Sequence, residues 1–247
     1  MFGKHDDVLD KEERSMFDGT NDYSSESDIM RKQVAKTFLW MAAGVGVTAI
    51  VSAILYNSID FWFLLYTKPM TPMVLLVAQL GIAVVFSARL FKMKVATTRI
   101  LFLVYAALLG VTCSSLAMIY TGESIAIAFG LSVAYFGALG VIGYTTKMNL
   151  MKIGPVLYIG LMIMVVIEVV MMFLGQDIYT MLFAGIGLAL FTGITAYDTQ
   201  KMRKLSEQCM EDTDMMNRIS IYSAFQLYLD FVNIFLYILR IMGNRKS

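Results

Sequence analysis

The sequence has little charge for its length. Only 16% of its 247 residues are Asp, Glu, Lys or Arg, whereas 58% are hydrophobic. Soluble domains carry about one quarter charged residues, so this composition indicates a membrane protein. The formal net charge is +1, which gives no reason to expect a nucleic-acid partner.

Residues that commonly build metal and redox sites are also scarce. The one histidine, His5, lies in the polar N-terminal segment, so no histidine-based triad or metal site is expected in the body of the protein. The cysteines, Cys113 and Cys209, form no CxxC motif, so neither a disulfide framework nor a zinc site is indicated. No phosphate-cradling or dinucleotide-binding motif is present, so we expect no soluble cofactor and no enzyme that depends on one.

The hydrophobic residues are concentrated in seven runs, each near the roughly 20 residues that cross ~30 Å of hydrocarbon. Residues 1–33 are polar and lack the apolar core of a signal peptide, so we expect a flexible cytoplasmic tail there. Residues 34–247 are predicted to form a single all-α domain of seven transmembrane helices. The seventh run is less apolar, so a full span, a re-entrant segment and an interior helix all remain open for it. The runs lie at about 34–56, 72–91, 99–120, 124–145, 154–174, 178–198 and 219–241.

Basic residues in the short loops predict the orientation. Lys and Arg lie between runs two and three, after run four and after run six, and the alternate loops hold almost none. Because basic loops stay in the cytoplasm, the N-terminus is predicted to be cytoplasmic. With seven crossings, Arg240, Arg245 and Lys246 would lie outside, against that rule.

Two aspartates interrupt the last two apolar runs. Asp198 ends the sixth run, and Asp230 lies in the middle of the seventh. An ionisable residue within a span is a functional-site hypothesis by default. If the two carboxylates meet at low dielectric they cannot both ionise easily, so they would share a proton and act as a proton-operated latch. Their oxygens would also suit Ca²⁺ as a weak, low-affinity metal site. The alternative is that Asp198 merely begins a loop and Asp230 hydrogen-bonds within a polar core.

Polar residues mark one face of the seventh run. They recur at helical spacing, so this face should turn away from lipid and place the last helix in the bundle interior. Thr195 shares a helix face with Asp198. The polar positions of the seventh run are Ser223, Gln226, Asp230, Asn233 and Tyr237.

Two further charged residues have open roles. Arg89 ends the second run, where it would either extend to the interface as an anchor or form an ion pair with Asp198. Glu168 lies within the fifth run, as either a protonated core residue or a pore-lining acid. Glycines at close spacing on the fourth run, among them Gly137 and Gly143, are explained by helix packing.

Two C-terminal segments resemble signatures of the Bax inhibitor-1 family, also called the transmembrane BAX inhibitor motif family. They are GITAYDTQK at Gly193–Lys201 and LYLDFVNIFLYILRI at Leu227–Ile241. The resemblance extends from about residue 36 to the end of the chain. It implies a seven-helix membrane protein with the last helix central, and a pH-sensitive calcium leak controlled by a di-aspartyl sensor, here Asp198 and Asp230. It also implies that Arg89 latches Asp198 in the closed state.

The short tail and loops are more similar to bacterial members of the family, which places the protein in a bacterial inner (plasma) membrane. Bacterial relatives carry a glutamate on the second helix where this sequence has Gln79. One pore carboxylate would then be missing, and Glu168 could compensate. The expected partners are membrane lipid, Ca²⁺ and protons.

Two other functions compete with the leak. A regulatory or scaffolding protein that binds membrane proteases or cell-death factors is compatible with the resemblance. An intramembrane aspartyl protease would also place acids on successive spans. Such enzymes carry Gly-x-Gly-Asp on the second helix, whereas Tyr228 and Leu229 precede Asp230 here.

Overall fold

The fold is helical throughout the part of the chain that a computed structural model describes. The described residues are 3–68, 70–89, 92–174 and 181–246, and for 3–26, 65, 66, 72, 172 and 173 only the backbone is described. Within these ranges the only β-type pairing is an isolated bridge between Tyr120 and Arg245. The helices are α1 (Gly3–Tyr56), α2 (Ile59–Thr67), α3 (Thr71–Arg89), α4 (Val95–Cys113), α5 (Leu116–Ile119), α6 (Gly122–Thr145), α7 (Gly154–Phe173), α8 (Met181–Gln208) and α9 (Thr213–Met242).

Six of these helices are long and apolar enough to cross a membrane, namely α1, α4 with α5, α6, α7, α8 and α9. The predicted crossing at 72–91 falls on α3, whose apolar stretch Met73–Arg89 is shorter. The all-helical membrane architecture is therefore confirmed with six candidate spans, and a seventh crossing stays a prediction. Helix α9 is among the six, so its length and composition suit a full span.

Two helix boundaries differ from those the hydropathy indicates. Helix α8 continues past residue 198 to Gln208, because residues 199–208 contain no proline or glycine to end it. Helix α1 starts at Gly3, so the described backbone is already helical within the polar segment 1–33. The flexibility and cytoplasmic location of that segment stay predictions.

Helix α9 is the most enclosed element. In its most apolar stretch 56% of residues are buried, compared with 33% for α8 and 11% for α7. Helices α1, α4, α6 and α8 all pack against it. Phe225 and Tyr228 of α9 contact the ring of Phe102 edge-on, with centroids 5.9 and 5.4 Å away. This burial agrees with the expectation that the last helix is central.

Helices α6 and α8 approach closely at a glycine. A Cβ added to Gly143 would lie 2.5 Å from the carbonyl oxygen of Ala196, which is well inside van der Waals contact. Small residues allow such backbone approach between membrane helices. The packing holds α8 against the centre of the bundle, two residues before Asp198.

Candidate functional site

The site lies between α8 and α9, which run antiparallel. Lys201 contacts Gln226 at one end of the shared face, and Phe191 contacts Tyr237 at the other. Between these contacts Asp198 and Asp230 face each other closely enough to interact electrostatically. Each aspartate is only 3% exposed. The structure thus brings together the two acids that the sequence singles out.

Asp198 is held by a tyrosine from a third helix. The hydroxyl of Tyr158 on α7 donates to Oδ1 and Oδ2 of Asp198 at 3.1 and 2.9 Å. A hydroxyl donor at this distance stabilises a carboxylate, particularly where water is excluded. No pattern in the sequence points to Tyr158, because only the packing of α7 on α8 brings it to Asp198.

Asp230 has a poorer set of partners. Its Oδ2 is buried without a hydrogen-bond partner among the described residues. The hydroxyl of Thr195 lies within hydrogen-bond reach of this carboxyl group and also donates to the carbonyl of Phe191 at 2.7 Å. A hydroxyl has one proton, so Thr195 cannot donate fully to Phe191 and to Asp230 at the same time. Asp230 therefore has weaker donor support than Asp198.

Among the described residues, Lys201 is a cation that interacts with both aspartates. It follows Asp198 by three residues on α8 and interacts with it electrostatically. Its Nζ lies 3.4 Å from both the hydroxyl of Tyr222 and Oε1 of Gln226. From the sequence, Lys201 is one of the basic loop residues that predict the orientation in the membrane. In the structure α8 continues through Lys201 and makes it part of the site.

Arg89 and Gln79 lie on α3, away from the aspartate pair. Arg89 is exposed at the end of α3, and no ion pair joins it to Asp198 within the described ranges. Gln79 donates to the carbonyl of Leu108 and to Oγ1 of Thr112, at 3.0 and 2.7 Å. It therefore ties α3 to α4 rather than facing the aspartates.

Glu168 forms an ion pair near the opposite end of α9. Its Oε1 lies 3.7 Å from Nη1 of Arg240, and the two side chains are 38% and 25% exposed. An ion pair is neither of the two roles that the sequence suggests for Glu168.

Asn233 bonds within its own helix. Its amide nitrogen donates to the carbonyl of Leu229 at 2.8 Å, one turn earlier on α9.

The site has few acidic side chains that could bind a metal cation. Among the described residues, no three His, Cys, Asp or Glu side chains lie close enough together to hold a metal ion. Asp198 and Asp230 are therefore the carboxylates that this site offers, and two carboxylates make a low-affinity site for a hard cation.

Comparison with known proteins agrees with this architecture. A family model described as "Inhibitor of apoptosis-promoting Bax1" matches residues 30–247. The inner membrane protein YbhL of Escherichia coli strain K12 is 38% identical over 218 residues, covering 88% of this chain and 93% of YbhL. An uncharacterised protein of Borreliella burgdorferi is 36% identical over 219 residues, covering 89% of this chain and 94% of that protein. Another, RP147 of Rickettsia prowazekii, is 36% identical over 218 residues, covering 88% and 92%. The chain is thus an integral multi-pass membrane protein that belongs to the Bax inhibitor family.

Proposed function

We propose that this protein is a passive, pH-sensitive calcium leak of the bacterial inner membrane, controlled by a proton on the Asp198–Asp230 pair. The observation that carries the proposal is the burial of two carboxyl groups on facing helices, one with an unpartnered oxygen. Ca²⁺ is the transported ion, and no chemical reaction is involved. The inner-membrane location rests on similarity to YbhL.

The surroundings of the pair favour one proton between the two acids. Two carboxylates at low dielectric repel each other strongly. Two groups oppose this repulsion: the Tyr158 hydroxyl donates to Asp198, and the Lys201 ammonium interacts with both acids. Asp198 is therefore the better placed to hold the charge and Asp230 the proton. Removing that proton at higher pH would add a second charge, whose repulsion separates α8 from α9.

Arg89 belongs to another conformer in this proposal. The structure shows it exposed and away from Asp198, and the family resemblance implies an arginine latch on that aspartate. A latched conformer requires the end of α3 to move toward α8, as it could if α3 makes the seventh crossing. A cation-binding conformer would instead leave both carboxylates open to Ca²⁺, which prefers oxygen ligands.

Ion flux through reconstituted protein tests this function. Purified wild type in liposomes should pass Ca²⁺ with a rate that depends on pH. Asp198→Asn and Asp230→Asn should each abolish that pH dependence, whereas Asp60→Asn, which removes an exposed acid outside the pair, should keep a wild-type-like response. Unchanged flux and pH dependence in both aspartate variants would refute the sensor.

The same variants separate the leak from a scaffolding role. If a flux-dead double variant still rescued the phenotype of a deletion strain, the physiological function would be binding of other membrane proteins. The described structure offers no contact that favours this alternative or a protease.

A further inference from the structure

Helices α1 and α6 diverge along the bundle and leave an apolar cleft between them. They touch through Phe38 and Phe136, whose ring centroids are 6.5 Å apart. Further toward the C-terminal end of α1, a cleft of about 340 Å³ separates them, with α9 as its floor. Its lining includes Ala49, Ala53 and Tyr56 of α1, Phe129 of α6, and Phe231 and Phe235 of α9.

The cleft opens toward hydrocarbon. Ala49 and Ala53 are exposed on α1, and Phe129 is 40% exposed on α6. A cleft of this volume is at the small end of the ~300–1,000 Å³ range of ligand pockets. A single flexible acyl chain suits an open apolar cleft of this size.

A cation is fixed at one end of the cleft. The Nζ of Lys246 donates to the carbonyl of Ala117 at 2.6 Å and to the hydroxyl of Tyr56 at 3.4 Å. Both of those residues line the cleft. The backbone N–H of Lys246 donates to the carbonyl of Ile119 at 2.9 Å, which fastens the C-terminal segment to the same end of the bundle.

The ammonium retains capacity for an anionic partner. It has three N–H donors, two of which have partners in the structure. Arg245 is exposed beside it. Two acids lie close in sequence to the residues that line this end of the cleft. They are Asp60, in the first turn of α2, and Glu123, in the first turn of α6. Neither lines the cleft.

We propose that this cleft is a binding site for an anionic membrane phospholipid. One acyl chain lies in the cleft between α1 and α6, and Lys246 contacts the phosphate-bearing headgroup at its rim. The site is separate from the aspartate pair, so it stands whether or not the protein conducts Ca²⁺.

Native mass spectrometry of the detergent-purified full chain, incubated with phosphatidylglycerol or phosphatidylcholine, tests the site. Wild type should retain phosphatidylglycerol in preference. Ala53→Phe fills the cleft and should lower the bound fraction of both lipids about fivefold or more. Ala43→Phe is its control, because Ala43 is exposed on α1 and does not line the cleft. Monodispersity and unfolding temperature verify that each variant is folded, and Ala49→Phe replaces Ala53→Phe if that variant does not fold.

Lys246→Gln tests the headgroup contact. One lysine near an anionic surface changes affinity about fivefold, so binding of phosphatidylglycerol should fall by that factor. Phosphatidylcholine also has a phosphate, but its choline offsets the charge, so its binding should fall less and the preference for phosphatidylglycerol should shrink. Equal retention by Ala53→Phe and Ala43→Phe would overturn the acyl-chain site. An undiminished preference in Lys246→Gln would overturn the anionic headgroup, as would equal binding of both lipids by wild type.

Discussion

The Tyr158 hydroxyl donates to both carboxyl oxygens of Asp198, at 2.9 and 3.1 Å, and so joins α7 to the acid pair between α8 and α9. This donor stabilises the ionised form of Asp198, whereas no described residue donates to Oδ2 of Asp230. The two acids are therefore inequivalent, and that inequivalence makes them individually testable.

Tyr158→Phe should shift the pH midpoint of Ca²⁺ flux upward. Loss of one donor removes about 1 kcal/mol of support for the Asp198 carboxylate. The doubly charged pair then becomes less favourable, so the shared proton is held to a pH higher by up to about one unit. The measurement is flux through liposomes across a pH series. Tyr135→Phe is the matched control, because its hydroxyl also hydrogen-bonds a side chain of α8, at 2.7 Å, but that partner is Thr192 instead of an aspartate. Equal midpoints in the two variants would contradict the role given to Tyr158.

Lys201→Gln should also raise the midpoint, because both acids lose a cation that offsets their charge. In the conformer described here Arg89 is exposed and away from the pair, so Arg89→Gln should leave the midpoint closer to wild type. If Arg89 latches a closed conformer, its substitution should instead increase flux at the pH where wild type is closed. A larger midpoint shift in Arg89→Gln than in Lys201→Gln would contradict this division of roles.

Folding stability should fall as pH rises through the titration of the pair. Deprotonation places a second charge in a buried site, and the folded state alone experiences this repulsion, so its stability is lost at high pH. The unfolding temperature of wild type should drop by several degrees across a series of rising pH, as a loss of about 1–2 kcal/mol would produce. Asp230→Asn should show a smaller drop, since only one acid remains. Parallel curves for wild type and Asp230→Asn would argue that the carboxyl groups do not share a proton.

The sequence predicts the pairing of Asp198 and Asp230 because both residues occupy definite faces of long helices. The polar stripe that contains Asp230 turns inward, and the resemblance connects it with Asp198. Hydropathy does not predict the contact of Tyr158 with Asp198, because this contact depends on how α7 packs against α8.

Lys201 and Glu168 show where local patterns are insufficient. The sequence predicts that Lys201 lies in a basic loop after the sixth run, yet α8 continues through it and places it beside the acids. Glu168 stands alone in its apolar run, and its partner Arg240 lies 72 residues further along the chain. Such long-range pairs follow from the antiparallel arrangement of helices rather than from spacing within one helix.

Gly143→Ala should destabilise the protein, whereas Gly137→Ala on the same helix should not. A methyl group at Gly143 would meet the Ala196 backbone at 2.5 Å, whereas one at Gly137 would meet nothing within 4 Å. The backbone cannot move aside as a flexible side chain can, so Gly143→Ala should lower the free energy of unfolding by about 1–3 kcal/mol. At Gly137 alanine should instead favour the helix slightly, because it restricts the unfolded chain. Unfolding temperatures of the two variants in one detergent provide the measurement. Equal temperatures would show that α6 and α8 are not held in close contact at Gly143, and the placement of Asp198 against α9 would lose that support.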